Sequence, residues 1–595
     1  MKDFFKMLFA SCLGNILVFV IGIFIVIGLI GGIIASALSI YKDGNSTFVV
    51  EDNSVLRLDL NKTILERTPS ELENYINTNQ VMGLDVVLKS IYRAKNDDKI
   101  KGIYLKTSGM YNGGWAVTEE IRNALLEFKK EGKFVYSYSD IYGQKAYYLS
   151  SVADSVYINP SGVLEFKGIG AETLFIKDLL DKLDVDVKLI RPSTNSFKSA
   201  GEMYTMNKMS EANKTQIRAY IKSIWNHVLE DISHSRNISV NELNTIANDL
   251  SAYLPQDALE KKLVDKLCFE HDALVSVAQI LNIEDNNPSD IKFVSAANYV
   301  NSLNEELDLQ RIKDKIAIIY AQGDVLQGKG TGVNVYSSNI VNAIEKAVSN
   351  DDVKAIVLRV NSPGGAVIAS EIMTNAVVRA KEKKPIVVSM SDVAASAGYE
   401  ISCYANKIVA MPTTITGSIG VFGIYPEVGT MLKNKFGITS DTVLTNKNSA
   451  ALSTMRPLSR ESQMLLTRNV ENFYKTFCSR VAEGRNLSVK YVDSIARGRV
   501  WTGVEAKKLG LVDELGGLDV ALRLAADEAG VEHYSVIVYP KEKDAITQLM
   551  EIIGDEGLTM KYEIFNPDVE VFQNWIEKIA NMESVQARLP YYIDF

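Results

Sequence analysis

Histidine is scarce in this chain, with His227, His234, His271 and His533 the only four in 595 residues. Cysteine is equally rare. Cys12, Cys268, Cys403 and Cys478 are too scattered to form a disulfide framework or a paired metal-ligand spacing. No dense Lys/Arg tract is present and the net charge is −9, which argues against nucleic-acid binding. No metal, nucleotide or other cofactor is implied. What remains is globular in balance, 47% hydrophobic and 23% charged. The length predicts roughly two to four domains.

Charge is also missing from Met7 to Ile40, and Ile16–Ile40 is almost wholly apolar. As a helix this core would be roughly 37 Å long at about 1.5 Å per residue, enough to cross a bilayer. A cleaved signal peptide has a shorter apolar region, about 7–15 residues, and a buried soluble helix is the bland alternative. The expectation is a single-pass anchor over residues 1–45. Lys2 and Lys6 precede it, while Lys42 and Asp43 offset each other behind it. The positive-inside rule then leaves everything after residue 45 outside the cytoplasm.

The chain repeats itself. Val135–Pro160 aligns without a gap to Val387–Pro412 at an offset of 252 residues, with eight identities including a Ser-Asp pair. Asp97–Gly109 parallels Asp351–Gly364, Arg236–Val240 parallels Arg485–Val489, and Lys261–Leu267 echoes Lys507–Leu515. Four ordered blocks at similar offsets mean a tandem duplication. Each copy alternates β-branched runs with helical spacing. In the second copy Lys315–Tyr320, Ala355–Val360 and Pro385–Met390 read as strands, and Ile340–Val348 and Val367–Glu382 as helices. That pattern predicts an α/β fold with mostly parallel sheet. The expected division is a first repeat over 46–310, a second over 311–540, and an amphipathic helical extension over 541–595. Asn286-Asn287-Pro288 and the polar Asn301–Lys315 stretch mark the linker between repeats.

Chemistry concentrates in the second copy. Asn361-Ser362-Pro363-Gly364-Gly365 follows a strand, and a Gly-Gly turn there can aim free N–H groups at one point, as an oxyanion hole requires. Most such turns are only turns. Farther on, Ser396 sits among Ala and Gly in Asp392–Tyr399, where the Ala397 N–H and a helix N-terminus favour a nearby anion. The first copy has Gln144 at the matching position, so only one copy keeps a nucleophile candidate. A serine needs a base, and no histidine lies between the Gly-Gly turn and residue 532. A buried lysine can serve. Lys198 and Lys447 stand at equivalent places in the two copies, 249 residues apart, and the residues alone leave both open.

Leu358–Gly365 (LRVNSPGG), Asp392–Ser402 (DVAASAGYEIS) and Thr416–Gly423 (TGSIGVFG) resemble the signal peptide peptidase A (protease IV) family in its long, duplicated form, over nearly the whole chain. The resemblance implies two tandem Clp protease/crotonase-like domains of repeated ββα units behind an N-terminal transmembrane helix. It implies a serine peptidase with Ser396 as nucleophile. Lys198, in the Lys-Ser-Ala run, is the implied base from the first copy; short members hold both groups in one domain, which keeps Lys447 as the alternative base. Ser418 would orient the lysine, and Gly364, Gly365 and Ala397 would serve the oxyanion. Ala397 replaces a common glycine, and Glu400 stands where an aromatic is common. The resemblance further implies signal peptides and other extended apolar peptides as substrates, a homotetramer, and a bacterial inner-membrane location with periplasmic catalytic domains. A crotonase-fold acyl-CoA enzyme and an inactive envelope scaffold are the competing readings.

Overall fold

The computed structural model describes residues 49–540 apart from 69–80, 108, 110, 303–311 and 331, together with the backbone of 585–588. The expected anchor over 1–45 lies outside the described residues. Among the described residues no helix is long and apolar enough to cross a membrane.

The β-branched runs become strands buried on both faces, as parallel strands between helices must be. Val353–Ser362 shows this, with eight of ten residues buried. Helix Ser337–Ser349 buries Ile340, Ala343, Ile344 and Ala347, one stripe at helical spacing. In the first unit the strands lie in the order Lys266–Leu267, Ser155–Leu164, Phe134–Tyr142, Ile100–Lys106, Ser54–Asp59, Lys292–Ser295, all parallel. The second unit repeats that order with Glu514–Leu515, Lys407–Ala410, Ile386–Ala395, Val353–Ser362, Lys315–Gln322 and Ser535–Tyr539. The shared topology is what a duplicated sequence should produce.

Two local expectations change. Asn286–Pro288 is not a linker, because the strand after it, Lys292–Ser295, pairs with Ser54–Asp59 inside the first unit. The stretch 541–595, read as helical, contains the strand Val585–Arg588, which finds backbone partners on both sides. The rest of that stretch lies outside the described residues.

A third sheet joins the units. Its order is Val335–Tyr336, Val325–Leu326, Gly364–Ala366, Val585–Arg588, Phe422–Glu427, Asp186–Ile190. Asp186–Ile190 belongs to the first unit and runs antiparallel to Phe422–Glu427, with Ile190 opposite Gly423. The apolar cores also interlock: Ala395, Ile415 and Val500 complete the first unit's core, and Ile190 joins the second's. The seam between the copies is thus packed interior, and the catalytic candidates converge there.

Candidate active site

Ser396 ends the strand Ile386–Ala395 and begins the short helix Ala397–Glu400. Its backbone holds φ 57° and ψ −117°, a region sparsely open to L residues. Hydrogen bonds fix this turn: the Ser396 N–H donates to the Gly417 carbonyl at 2.8 Å, and the Glu400 N–H donates to the Ser396 carbonyl at 2.9 Å. A strained strand-to-helix turn of this kind projects a nucleophile clear of both elements.

The base candidate arrives from the other unit. Strand Asp186–Ile190, pinned to Phe422–Glu427, leads into the loop that carries Lys198. Lys198 is fully buried. Its Nζ lies 2.7 Å from Ser396 Oγ, 3.0 Å from Ser418 Oγ and 3.2 Å from the Ser418 carbonyl. Burial holds the amine well below the ordinary lysine range, and none of these partners is a carboxylate that could hold the charge. A lysine in that state offers a lone pair to a hydroxyl proton.

The Gly364-Gly365 turn packs against the Ser396 turn, since a Cβ on Gly398 would come within 2.7 Å of the Ser362 carbonyl oxygen. Gly364 holds φ 103°, which requires glycine, and its N–H donates to Ser362 Oγ at 3.2 Å. Gly365 presses on Val325, where a Cβ would meet the carbonyl oxygen at 2.2 Å. Ala397 is fully buried at the start of the short helix. Lys447 is not brought to this site. Its side chain is 81% exposed and pairs with Glu461 at 3.5 Å. Glu400 turns into the second unit and accepts from Ser370 Oγ and Arg480 Nη1, each at 2.7 Å.

Sequence reasoning missed what seats one unit on the other. Arg359, inside the LRVNSPGG motif, is buried and donates to Glu66 at 2.7 Å and Glu120 at 2.6 Å, both from the first unit. Asn361 donates to the other Glu66 oxygen at 2.8 Å. Asp392 accepts from the N–H groups of Ala116 and Val117, capping the first-unit helix Trp115–Lys129. Burial pushes the Asp392 carboxyl up to about 6, with nearby Glu66 adding to the shift. An arginine inside the otherwise apolar run Ala355–Val360 was the available signal, because buried charge demands partners.

One group among the described residues could gather metal ligands: Glu119, His227 and Asp231. Thr413 already donates to Glu119 at 2.7 Å, and the Arg122 guanidinium approaches Asp231 at 3.9 Å. Hydrogen-bond donors and a cation thus surround these acids.

Residues 127–284 and 379–532 each match the sequence pattern of peptidase family S49, one stretch in each unit. The chain is 35% identical over 479 residues to Protease 4 of Salmonella typhi, covering 78% of this chain and 75% of that one. The chain belongs to peptidase family S49. As an S49 member it is a serine peptidase, and the resemblance drawn from its three motifs is borne out. Protease 4 of Haemophilus influenzae is 34% identical over 77% of this S49 chain and 74% of its own length. The chloroplastic serine protease SPPA of Arabidopsis thaliana is 28% identical over 91% of this chain and 78% of its own.

Proposed function

We propose that this peptidase works with a Ser396–Lys198 dyad built across the two repeats and degrades cleaved signal peptides at the bacterial inner membrane. The observation that carries the dyad is the fully buried Lys198 amine 2.7 Å from Ser396 Oγ. Neutral Lys198 takes the hydroxyl proton as Oγ attacks the scissile carbonyl, with Ser418 orienting the amine. Backbone N–H groups of Gly365 and Ala397 hold the oxyanion, Gly364 joining them once its N–H leaves Ser362 Oγ, and the lysine returns the proton to the leaving amine. The same lysine then activates a water that hydrolyses the acyl-enzyme.

Extended peptide recognition has its own support. Val585–Arg588 of this chain lies between Gly364–Ala366 and Phe422–Gly423, antiparallel to both. A peptide substrate laid in the same groove would gain main-chain hydrogen bonds on two sides, the β-addition mode. Residues 1–45 would anchor the enzyme by a single transmembrane helix with the repeats in the periplasm, where released signal peptides meet it at high local concentration. The ββα repeats fit a Clp protease/crotonase-like architecture, and a homotetramer is the assembly in keeping with the family.

The test is an assay of detergent-solubilised wild type and Lys198→Ala on a synthetic signal peptide, with circular dichroism as a fold check. Cleavage by wild type and none by the folded variant is expected. Near-normal activity of the variant would remove Lys198 from the mechanism.

A further inference from the structure

The turn Ala496-Arg497-Gly498-Arg499, just before the strand Val500–Thr502, touches both the lysine loop and the serine beside it. On one side the Arg497 carbonyl accepts from the Phe197 N–H at 3.1 Å. Gly498 lies flat on the Lys198 backbone: a Cβ there would sit 2.5 Å from Lys198 N, and the residue holds φ 80°. On the other side the Gly498 N–H donates to the Ile419 carbonyl, and the Ser418 N–H donates to the Arg499 carbonyl, both at 2.8 Å. Ser418 Oγ also lies 3.4 Å from the Gly498 carbonyl. The Arg499 guanidinium is stacked between rings of the two units, 5.2 Å from the centre of Phe197 and 4.1 Å from that of Trp501. Gln216 closes the arrangement, donating to the Phe197 carbonyl at 3.0 Å and accepting from the Val500 N–H at 3.4 Å.

We propose that Gly498 and Arg499 are positioning residues, forming a clip that seats the Lys198 loop of one repeat against Ser396 and Ser418 of the other. The inference rests on the Ser396–Lys198 reading. Lysine has a long, flexible stem, and nothing in its own side chain sets the direction of its amine. The clip fixes the backbone from which that stem starts, and Arg499 shields it with two aromatic faces. Internal comparison supports the role. At the repeat offset of 249 residues, Arg497-Gly498-Arg499 corresponds to Asn248-Asp249-Leu250, and Leu250 is 53% exposed. The first copy carries no nucleophile, and it has neither the glycine nor the arginine.

The test uses the full-length enzyme in detergent, comparing Arg499→Ala, Arg499→Lys, Gly498→Ala and Lys198→Ala across pH on one synthetic signal peptide. For Arg499→Ala, kcat is expected to fall about 10- to 100-fold with KM within about twofold, the scale of a small misplacement of a reacting group. The acid limb of its pH profile should move to higher pH, because an amine that gains water holds its proton more tightly. Arg499→Lys should fall between the two, since it keeps a cation on the rings and loses the planar stack. Gly498→Ala should match or exceed Arg499→Ala; if it does not fold, the Arg499 pair decides. An Arg499→Ala profile superposable on wild type overturns the clip, as does a loss of kcat with an unmoved acid limb, which would mark general loosening. An active Lys198→Ala variant would instead refute the dyad itself.

Discussion

The two repeats share one topology and supply opposite halves of the proposed site. At the nucleophile position the second copy has Ser396, held at φ 57°. The first has Gln144 at the start of an ordinary helix, after Gly143 at φ −65°. Gln144 is stitched into its own unit, donating to the Gly168 carbonyl and accepting from the Lys167 and Gly168 N–H groups. At the base position the contrast reverses. Lys198 of the first copy is sealed in the seam, whereas Lys447 of the second sits in solvent. Asp392 caps a helix of the other unit, while its counterpart Asp140 is exposed and accepts from nearby Tyr138 and Asn159 of its own unit. Backbone strain and buried polar groups persist where the seam supports them, and the copy without that duty has relaxed.

The contrast is sharpest between the lysines. Lys198→Ala should lower kcat/KM by about 10³-fold or more, near the upper range for a proton-transfer group, while Lys447→Ala stays close to wild type. Peptide hydrolysis by the two folded variants checks this, and equal losses would break the distinction. Next in size is the seam. Arg359→Ala leaves Glu66 and Glu120 buried without their cation, and should cost about 3–5 kcal/mol in urea unfolding. A variant as stable as wild type would mean that the units dock without this cluster.

A chain ending at residue 540 lacks Val585–Arg588, which lies in the groove beside Gly364 where the proposed substrate would pair. Its KM for peptide should drop about severalfold, in proportion to the fraction of sites that strand had occupied. An unchanged KM would mean the strand does not compete with substrate. Asp392→Asn keeps an acceptor for the helix cap and removes a carboxylate that burial disfavours. With the folded carboxyl raised to about 6, wild type should lose stability as pH rises through that value, and the variant should lack this loss. Urea midpoints on either side of that pH give the comparison. The smallest expected effect is none: Gln144→Ser on a Ser396→Ala background should stay inactive. A hydroxyl there would have neither the strained turn nor a buried lysine, and recovered hydrolysis would show that the copies are still interchangeable.

Much of this is legible in the sequence alone. Internal identity revealed the duplication, and strand and helix periods placed the elements of the second copy within a few residues. Small residues around Ser396 and the Gly364-Gly365 turn marked the proposed site. The linker was misread because a polar Asn-Asn-Pro run looks the same before an edge strand as between domains. The strand at 585–588 was missed because its pairing partners lie more than 150 residues away.

By itself the sequence determined the repeat and the α/β alternation and left a single nucleophile candidate, since each is written in local spacing or in direct comparison of the copies. It left two equivalent lysines. Only the tertiary structure decided which one faces the serine, because a lysine's basicity depends on the water around it. That is set by the seam: the pairing of Asp186–Ile190 with Phe422–Glu427, the Arg359 cluster and the turn at Gly498. These contacts join residues hundreds of positions apart, and no local pattern encodes their meeting.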